Sequence, residues 1–211
     1  MTDEDIRFMK RALSLARARL GRVAPNPAVG CVIVQAGAEI AHGATGDGGR
    51  PHAEEIALDA AGDLARGATV YVTLEPCAER SNHSASCSRR LVDAGIGRAV
   101  IATGDPHARA AGGGLDRLRA AGIELVLGVC EDEARQINEG FFCLVETGRP
   151  LLVLGGDPSF CDEPFALQGR ESPAQALDRL GAEGMTRVWA AADNPLARAL
   201  VESGYARAAR G

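Results

Sequence analysis

Short apolar runs rich in β-branched residues alternate with helical patterns along most of this chain. The runs predict buried strands, and apolar residues at three- and four-residue steps predict amphipathic helices between them. Strands that alternate with helices imply a sheet with helices on both faces, so we expect an α/β fold. The predicted strands are 29–34, 39–41, 68–74, 99–102 and 123–127; the predicted helices are one that begins with a Thr2–Asp5 capping box and ends near Gly21, one that opens at Pro51, and 87–94, 115–121 and 131–145.

The pattern changes at Gly148-Arg149-Pro150, which predicts a boundary between residues 1–147 and 148–211. The tail is expected to form a small α/β unit with strands at 151–154 and 187–191 and helices at 173–180 and 196–203. About sixty residues form only a marginal core by themselves. We therefore expect the tail to pack on the first domain or on a second subunit.

Charge and composition narrow the classes of partner. The formal net charge of -5 argues against a nucleic-acid binder, which needs a basic surface to neutralise phosphates. The acidic N-terminus carries no signal-peptide pattern, and no apolar run is long enough to span a bilayer. We expect a cytoplasmic protein without membrane partners. Its six cysteines are then reduced and available as metal ligands.

Three short motifs carry candidate metal chemistry: His52-Ala53-Glu54, Pro76-Cys77 and Cys87. One imidazole and two thiolates suit Zn²⁺, and three protein ligands leave a fourth tetrahedral position for water. Zinc lowers the pKa of such a water to about 7. Glu54 is the candidate that takes a proton from this water and delivers it to the substrate.

Local patterns place two of these ligands at helix starts, where thiolates and other anions are stabilised. His52 falls in the first turn of its predicted helix, and Cys87 follows Ser86, a good N-cap residue. Residues two apart on a helix do not share a face. His52 and Glu54 can therefore meet at one centre only beyond the end of the helix, and neighbouring Glu55 is expected to point elsewhere.

Two structural interpretations compete with the catalytic one. The two cysteines, ten positions apart, are also consistent with ordinary core residues. Alternatively, His83, which lies between them, closes a structural zinc site as a fourth ligand. The order of the motifs and their strand, loop and helix contexts favour the catalytic site.

The H-x-E, P-C and Cys pattern is the signature of zinc nucleobase deaminases. More specifically, the chain resembles the N-terminal deaminase domain of the bifunctional riboflavin-biosynthesis deaminase–reductases, over about residues 7 to 147. The matching blocks are Pro25-Asn26-Pro27-Ala28-Val29-Gly30-Cys31-Val32-Ile33, Gly48-Gly49-Arg50-Pro51-His52-Ala53-Glu54, Val70-Tyr71-Val72-Thr73-Leu74-Glu75-Pro76-Cys77, Asp105-Pro106, Leu118-Arg119-Ala120-Ala121-Gly122-Ile123 and Asn138-Glu139-Gly140-Phe141-Phe142.

This resemblance implies a cytidine deaminase-like three-layer α-β-α sandwich with a mixed central sheet, and a homodimer. It also implies a hydrolase that acts on the C–N bond of a cyclic amidine. In that family the substrate is a diamino-ribosylamino-pyrimidinone 5′-phosphate, which loses its ring 2-amino group. The chain's small-molecule partner would then be such an aminopyrimidine.

The resemblance also implies residue roles. His52, Cys77 and Cys87 would be the zinc ligands, and Glu54 the proton shuttle. The remaining candidates are substrate-binding: Asn26 to the base, Asp105 near the ribose, Arg80 or His83 at the phosphate, and the motif positions Arg50, Ala53 and Glu75. Asn26 and Asp105 are equally consistent with plain turn or cap residues, and Arg80 and His83 with a solvated loop.

Two departures from the family pattern leave alternatives open. The segment from Cys77 to Cys87 is one residue longer than the family's, with Glu79 at a position where the family has histidine. This favours, as an alternative, a deaminase of a different aminopyrimidine. The tail is far shorter than the family's nicotinamide-binding domain and carries no dinucleotide fingerprint, so we expect no reductase activity. A second alternative is a non-catalytic zinc-bearing scaffold, although such a scaffold would not need Glu54.

Overall fold

A computed structural model describes residues 1–79, 85–106 and 112–210. The chain divides into two compact units. The first contains residues 1–19 and 28–137, and the second contains residues 20–27 and 138 onward. The functional division of the chain between residues 147 and 148 stays a prediction.

The first unit is built on a five-stranded mixed sheet in the order β2-β1-β3-β4-β5. β1 is antiparallel to both β2 and β3, whereas β3, β4 and β5 run parallel. Parallel neighbours end at the same edge of a sheet, so the segments that follow β3 and β4 lie side by side. The strands are β1 Gly30–Gln35, β2 Ala38–Ala44, β3 Thr69–Leu74, β4 Arg98–Thr103 and β5 Glu124–Leu127.

Helices cover both faces of this sheet. One layer contains α1 (Asp3–Arg17) and α5 (Glu131–Ile137), which contact each other and strands β1, β3 and β4. The other contains α2 (Ala53–Ala61), α3 (Cys87–Asp93) and α4 (Gly113–Ala120), packed side by side. Gly43 of β2 lets α2 approach closely, since a Cβ there would lie 2.2 Å from the Ala53 carbonyl oxygen. The predicted three-layer α-β-α sandwich is confirmed.

The second unit carries a separate, smaller parallel sheet in the order β7-β8-β6-β9. Its core gathers around Leu152, Leu177, Leu180 and Val188, all at most 1% exposed. This arrangement confirms the predicted small α/β tail. Its elements are α6 Glu139–Thr147, β6 Leu151–Leu154, β7 Glu163–Pro164, α7 Pro173–Ala182, β8 Arg187–Ala190, α8 Pro195–Glu202 and β9 Ala208–Arg210.

Three helix predictions were wrong in their bounds. The first helix, expected to end near Gly21, ends at Arg17, because the Arg19 N–H donates to the Ala16 carbonyl at 2.9 Å in a tighter turn. The helix expected to open at Pro51 begins at Ala53, because the Pro51 carbonyl accepts the Gly46 N–H at 2.9 Å and His52 has an extended backbone. The single helix expected over 131–145 is two helices, α5 and α6, interrupted at the buried Asn138. The short strands β7 and β9 carried no apolar run long enough to predict them. Within the described residues, no helix is both long and apolar enough to cross a membrane.

Asp5 joins the start of α1 to the sheet through a buried ion pair. Its carboxylate accepts hydrogen bonds from the two terminal nitrogens of Arg98, at 2.7 and 3.2 Å, and from the Tyr71 hydroxyl at 3.2 Å. The Thr2 N–H donates to it at 2.9 Å and completes the predicted capping box. The Arg98 guanidinium holds the pKa of Asp5 well below its usual range, and burial raises the pKa of Tyr71 to about 12.

Asp5→Asn is expected to lower the free energy of unfolding by about 2 kcal/mol near neutral pH, because a charge-assisted hydrogen bond to Arg98 is lost. The lowered pKa sets the sign of the pH dependence. The ion pair contributes its full stability above the unfolded-state pKa of about 4, and this contribution is lost as the pH falls toward the folded-state value. Urea unfolding at about pH 7 and about pH 3 measures both effects. The difference between the two proteins should shrink at the lower pH; an equal difference at both would contradict this role.

Candidate metal centre

His52 reaches the site from the N-cap position of α2. Its backbone is extended, with φ -72° and ψ 157°, so the imidazole leaves the chain before the helix begins. The His52 N–H donates to a Glu55 carboxylate oxygen at 2.8 Å, and Arg90 of α3 donates to the other carboxylate oxygen at 3.5 Å. The Glu55 carboxylate thus binds the backbone of His52 and the Arg90 side chain, and it holds His52 at the position from which the imidazole enters the site.

The two cysteines come from adjacent segments that hydrogen bond to each other. Cys77 follows β3, and Cys87 is the first residue of α3, behind the N-cap Ser86. The Cys87 N–H donates to the Cys77 sulfur at 3.2 Å. Ser88 donates twice to the Cys77 carbonyl, from its N–H at 3.2 Å and from its hydroxyl at 2.9 Å. These hydrogen bonds fix the position of the Cys77 segment relative to the start of α3, and so the positions of the two sulfurs relative to each other.

The ligand atoms of His52, Cys77 and Cys87 converge within 4.8 Å of one another. The His52 Nδ1 atom lies 3.2 Å from the Cys87 sulfur and 3.8 Å from the Cys77 sulfur. Tetrahedral zinc with bonds of about 2.0–2.3 Å separates its ligand atoms by about 3.3–3.8 Å. The donor set and its spacing therefore fit a zinc ion, with one coordination position left for a fourth ligand.

Electrostatics favour a thiolate at Cys77. The hydrogen bond from the Cys87 side chain is the largest cause, followed among the favourable ones by the hydrogen bonds from the His52 side chain and from the Cys87 backbone N–H. Together they lower the pKa of Cys77 to about 3, against the raising effect of burial. A thiolate is the form of cysteine that binds metal.

Glu54 lies in the first turn of α2, beside the three ligand residues. It is 3% exposed, and burial raises its pKa, while the charge of His52 and a hydrogen bond from Cys87 oppose that rise. Its charge also contributes to the raised pKa of the buried Cys31 thiol, after burial itself. A carboxyl group with a raised pKa beside a metal centre is suited to accept and return a proton.

Glu75 is buried where β3 ends, against the beginning of α4. A Cβ on Gly114 would lie 3.4 Å from one of its carboxylate oxygens. Burial raises the pKa of Glu75, and hydrogen bonds from the backbone of Leu115, Asp105 and Gly112 oppose the rise. This placement ties the carboxylate to the connection between β4 and α4, and substrate binding by Glu75 stays a prediction.

The other predicted substrate residues are spread over both units. Arg50 is exposed and Asp105 half-buried in the first unit, and Ala53 is buried as the first residue of α2. Asn26 belongs to the second unit, where its N–H donates to the Val23 carbonyl at 2.9 Å. Their substrate contacts stay predictions. The candidates Arg80 and His83 lie outside the described residues.

Known proteins match this chain in sequence and in fold. Residues 2–103 match the family model of the cytidine and deoxycytidylate deaminase zinc-binding region. The fold and the ligand cluster thus define a member of the cytidine deaminase-like class. The riboflavin biosynthesis protein RibD of Aquifex aeolicus is 47% identical over 150 residues, which cover 71% of this chain and 42% of that protein.

A shorter relative matches almost from end to end. The diaminohydroxyphosphoribosylamino-pyrimidine deaminase of Buchnera aphidicola is 42% identical over 149 residues, covering 69% of this chain and 99% of that protein. The chain belongs to the family of the riboflavin-biosynthesis deaminases.

The same family appears among solved structures. One form of Acinetobacter baumannii RibD aligns with a TM-score of 0.81 and 26% identity, covering 96% of this chain and 84% of the solved one. Against the first three curated relatives, however, the chain spans only between 41% and 48% of their length.

Proposed function

We propose that this chain is a zinc-dependent deaminase that removes the ring amino group of a diaminohydroxyphosphoribosylaminopyrimidine in riboflavin biosynthesis. The observation that carries the proposal is the convergence of the His52, Cys77 and Cys87 ligand atoms within 4.8 Å, with the buried Glu54 beside them. The near-complete alignment with the Buchnera deaminase supports the reaction and the substrate class.

The proposed reaction replaces an amino group with oxygen. The carbon–nitrogen bond to the ring amino group breaks and a carbon–oxygen bond from water forms. Of the two water protons, one goes to the ring nitrogen and the other to the amino group, which leaves as ammonia. Zinc, when bound, supplies the Lewis acidity that makes water nucleophilic near neutral pH. Glu54 takes the proton from water, passes it to the ring nitrogen and returns a proton to the departing amine. His52, Cys77 and Cys87 hold the metal.

Burial of Glu54 makes it suitable for proton transfer. An ordinary glutamate is a weak base near neutral pH and does not hold a proton there. Burial raises the pKa of Glu54 above the ordinary value for a glutamate, which makes its carboxylate a better proton acceptor than an exposed glutamate. This argues against the non-catalytic scaffold, since a purely structural zinc site gains nothing from a buried carboxylate.

The charge of the substrate sets what its pocket must contain. A phosphorylated substrate brings close to two negative charges to a chain whose formal net charge is -5, so the pocket needs local positive charge. Arg80 is the predicted source, and the other candidates are Arg50, close to His52 in the sequence, and Arg109, just after Asp105-Pro106. The lengthened segment between Cys77 and Cys87 supports the alternative, the same chemistry on another aminopyrimidine.

Arg80→Ala is expected to lower kcat/KM for the phosphorylated compound by about ten- to a hundredfold, because a charged hydrogen bond to phosphate contributes about 1.5–3 kcal/mol. Ammonia release from the phosphorylated compound, its dephosphorylated counterpart and a panel of other aminopyrimidines measures the effect. The loss should be nearly absent for the dephosphorylated compound. If the unmodified protein prefers the dephosphorylated compound or another aminopyrimidine, the riboflavin assignment falls and the alternative replaces it.

A homodimer in the cytoplasm is part of the same proposal. All six cysteines lie in the described residues and none forms a disulfide, which is consistent with a reducing compartment. We also propose that residues 148–211 contribute no reductase step.

A further inference from the structure

Helix α4 packs directly on the segment that carries Cys77. A Cβ on Gly114 would lie 2.0 Å from the Pro76 carbonyl oxygen, so only glycine permits this approach. One residue earlier, a Cβ on Gly113 would lie 3.0 Å from the Ala78 side chain. The first turn of α4 therefore rests against both neighbours of Cys77.

One turn further along α4, the Arg117 guanidinium reaches both cysteine segments from a single nitrogen. Its Nη1 atom, which carries two hydrogens, lies 2.7 Å from the Ala78 carbonyl oxygen, 3.0 Å from the Ser86 hydroxyl and 2.6 Å from the Ser88 hydroxyl, so two of these acceptors share one N–H. Ala78 follows Cys77, and the two serines flank Cys87 on either side. The three acceptors are thus the immediate neighbours of the two cysteines.

Ser88 closes the arrangement into a connected network. Its hydroxyl accepts from Arg117 and donates to the Cys77 carbonyl at 2.9 Å. The Arg117 guanidinium therefore contacts the backbone that follows Cys77, the N-cap residue that precedes Cys87, and the Ser88 side chain that connects the two segments. Two thiolates held this close repel each other, and a nearby guanidinium offsets part of that repulsion.

We propose that Arg117 is a positioning residue for the metal centre: through Ala78, Ser86 and Ser88 it holds Cys77 and Cys87 at the separation that zinc requires. This inference rests on the proposed zinc-dependent function. Partners that orient metal ligands typically change metal affinity by about 10–100-fold when removed. Arg117 acts through these three neighbours of the cysteines and has no role in proton transfer.

The test compares zinc affinity with the stability of the metal-free fold, in the full-length chain. Arg117→Met removes the hydrogen bonds and the charge but keeps an unbranched side chain. Arg117→Lys keeps the charge and part of the hydrogen bonding. Arg119→Met on the same helix is the matched control, because Arg119 is half-exposed and pairs with the exposed Asp116. Competition with a chromophoric chelator gives the zinc dissociation constant, and thermal unfolding of the metal-free proteins gives their stability.

Arg117→Met is expected to raise the zinc dissociation constant by about 10–100-fold over the Arg119→Met control, with Arg117→Lys between the two. A role confined to packing of α4 would lower the unfolding temperature of the metal-free protein and leave the dissociation constant equal to that of the control. That result would overturn the proposal. Should Arg117→Met not fold, Ser88→Ala and Arg117→Lys carry the same comparison, and unchanged zinc affinity in both would refute it. Failure of the proposed function is seen separately, as absence of zinc binding by the unmodified protein.

Discussion

Glu54→Gln is expected to retain its zinc and its fold while turnover falls by about 10²–10⁴-fold, the range for loss of a general acid–base group. Glutamine has nearly the same size and fills the same buried position, but it cannot accept the proton that water gives up. The substitution therefore separates proton transfer from metal binding. Steady-state ammonia release gives the turnover, and metal analysis of the same sample gives the zinc content.

Glu124→Gln serves as the control for this substitution. It makes the same chemical change on β5, at an exposed carboxylate outside the site. Its turnover should match that of the unmodified protein. If Glu54→Gln kept more than about a hundredth of normal turnover, the smallest loss in the range for a general acid–base group, another group would have to move the proton.

Cys87→Ser is expected to reduce zinc from about one ion per chain to a small fraction of that. A serine hydroxyl remains protonated near neutral pH and is a poor ligand for zinc, so only two good ligands would be left. Metal analysis after extensive dialysis measures the loss, and activity should fall in proportion to the zinc.

Cys130→Ser is the matched control, because Cys130 lies outside the cluster of ligand atoms. It should retain zinc. If Cys77 and Cys87 can both be replaced while one zinc per chain remains, the metal centre is assigned to the wrong residues.

The sequence predicted the elements whose signals are local. The Thr2–Asp5 capping box places the start of α1, and the apolar run of Leu151–Leu154 coincides with β6. These elements depend on neighbouring residues, so their patterns are visible in the chain itself. The order of the three site motifs was likewise visible in the chain. The resemblance they carry, to the riboflavin-biosynthesis deaminases, is confirmed by the relatives that the chain matches.

The first residue of α2 depends on tertiary hydrogen bonds, which local helix propensity does not predict. Proline is favoured at the first helical position, yet the Pro51 carbonyl is held by Gly46 and the helix starts two residues later. This shift explains how His52 and Glu54, two residues apart in the sequence, can both reach the metal centre. His52 stands outside the helix with an extended backbone, so its imidazole and the Glu54 carboxylate need not share a helix face.

Residues that act through tertiary contacts had no signal of their own. The Glu55 carboxylate accepts the His52 N–H, as the third helical residue does in a capping box. That motif is identified in a sequence by a serine or threonine at the N-cap position, so His52 gave no such signal. In the sequence, Arg117 has the pattern of an ordinary surface arginine on a helix. Its role depends on the packing of α4 against the two cysteine segments, which no local pattern indicates. The break at Asn138 is similar, because a single polar residue inside a helical pattern does not by itself end a helix.

The most direct measurement of the central claim is a zinc titration of metal-free protein with the phosphorylated riboflavin intermediate present. Ammonia release and conversion of the ring amino group to oxygen are followed at each step. We predict no turnover without zinc and a linear rise that levels off at about one zinc per chain, the stoichiometry of a single three-ligand site. Full turnover by metal-free protein, or none from folded protein that holds one zinc per chain, would contradict the claim.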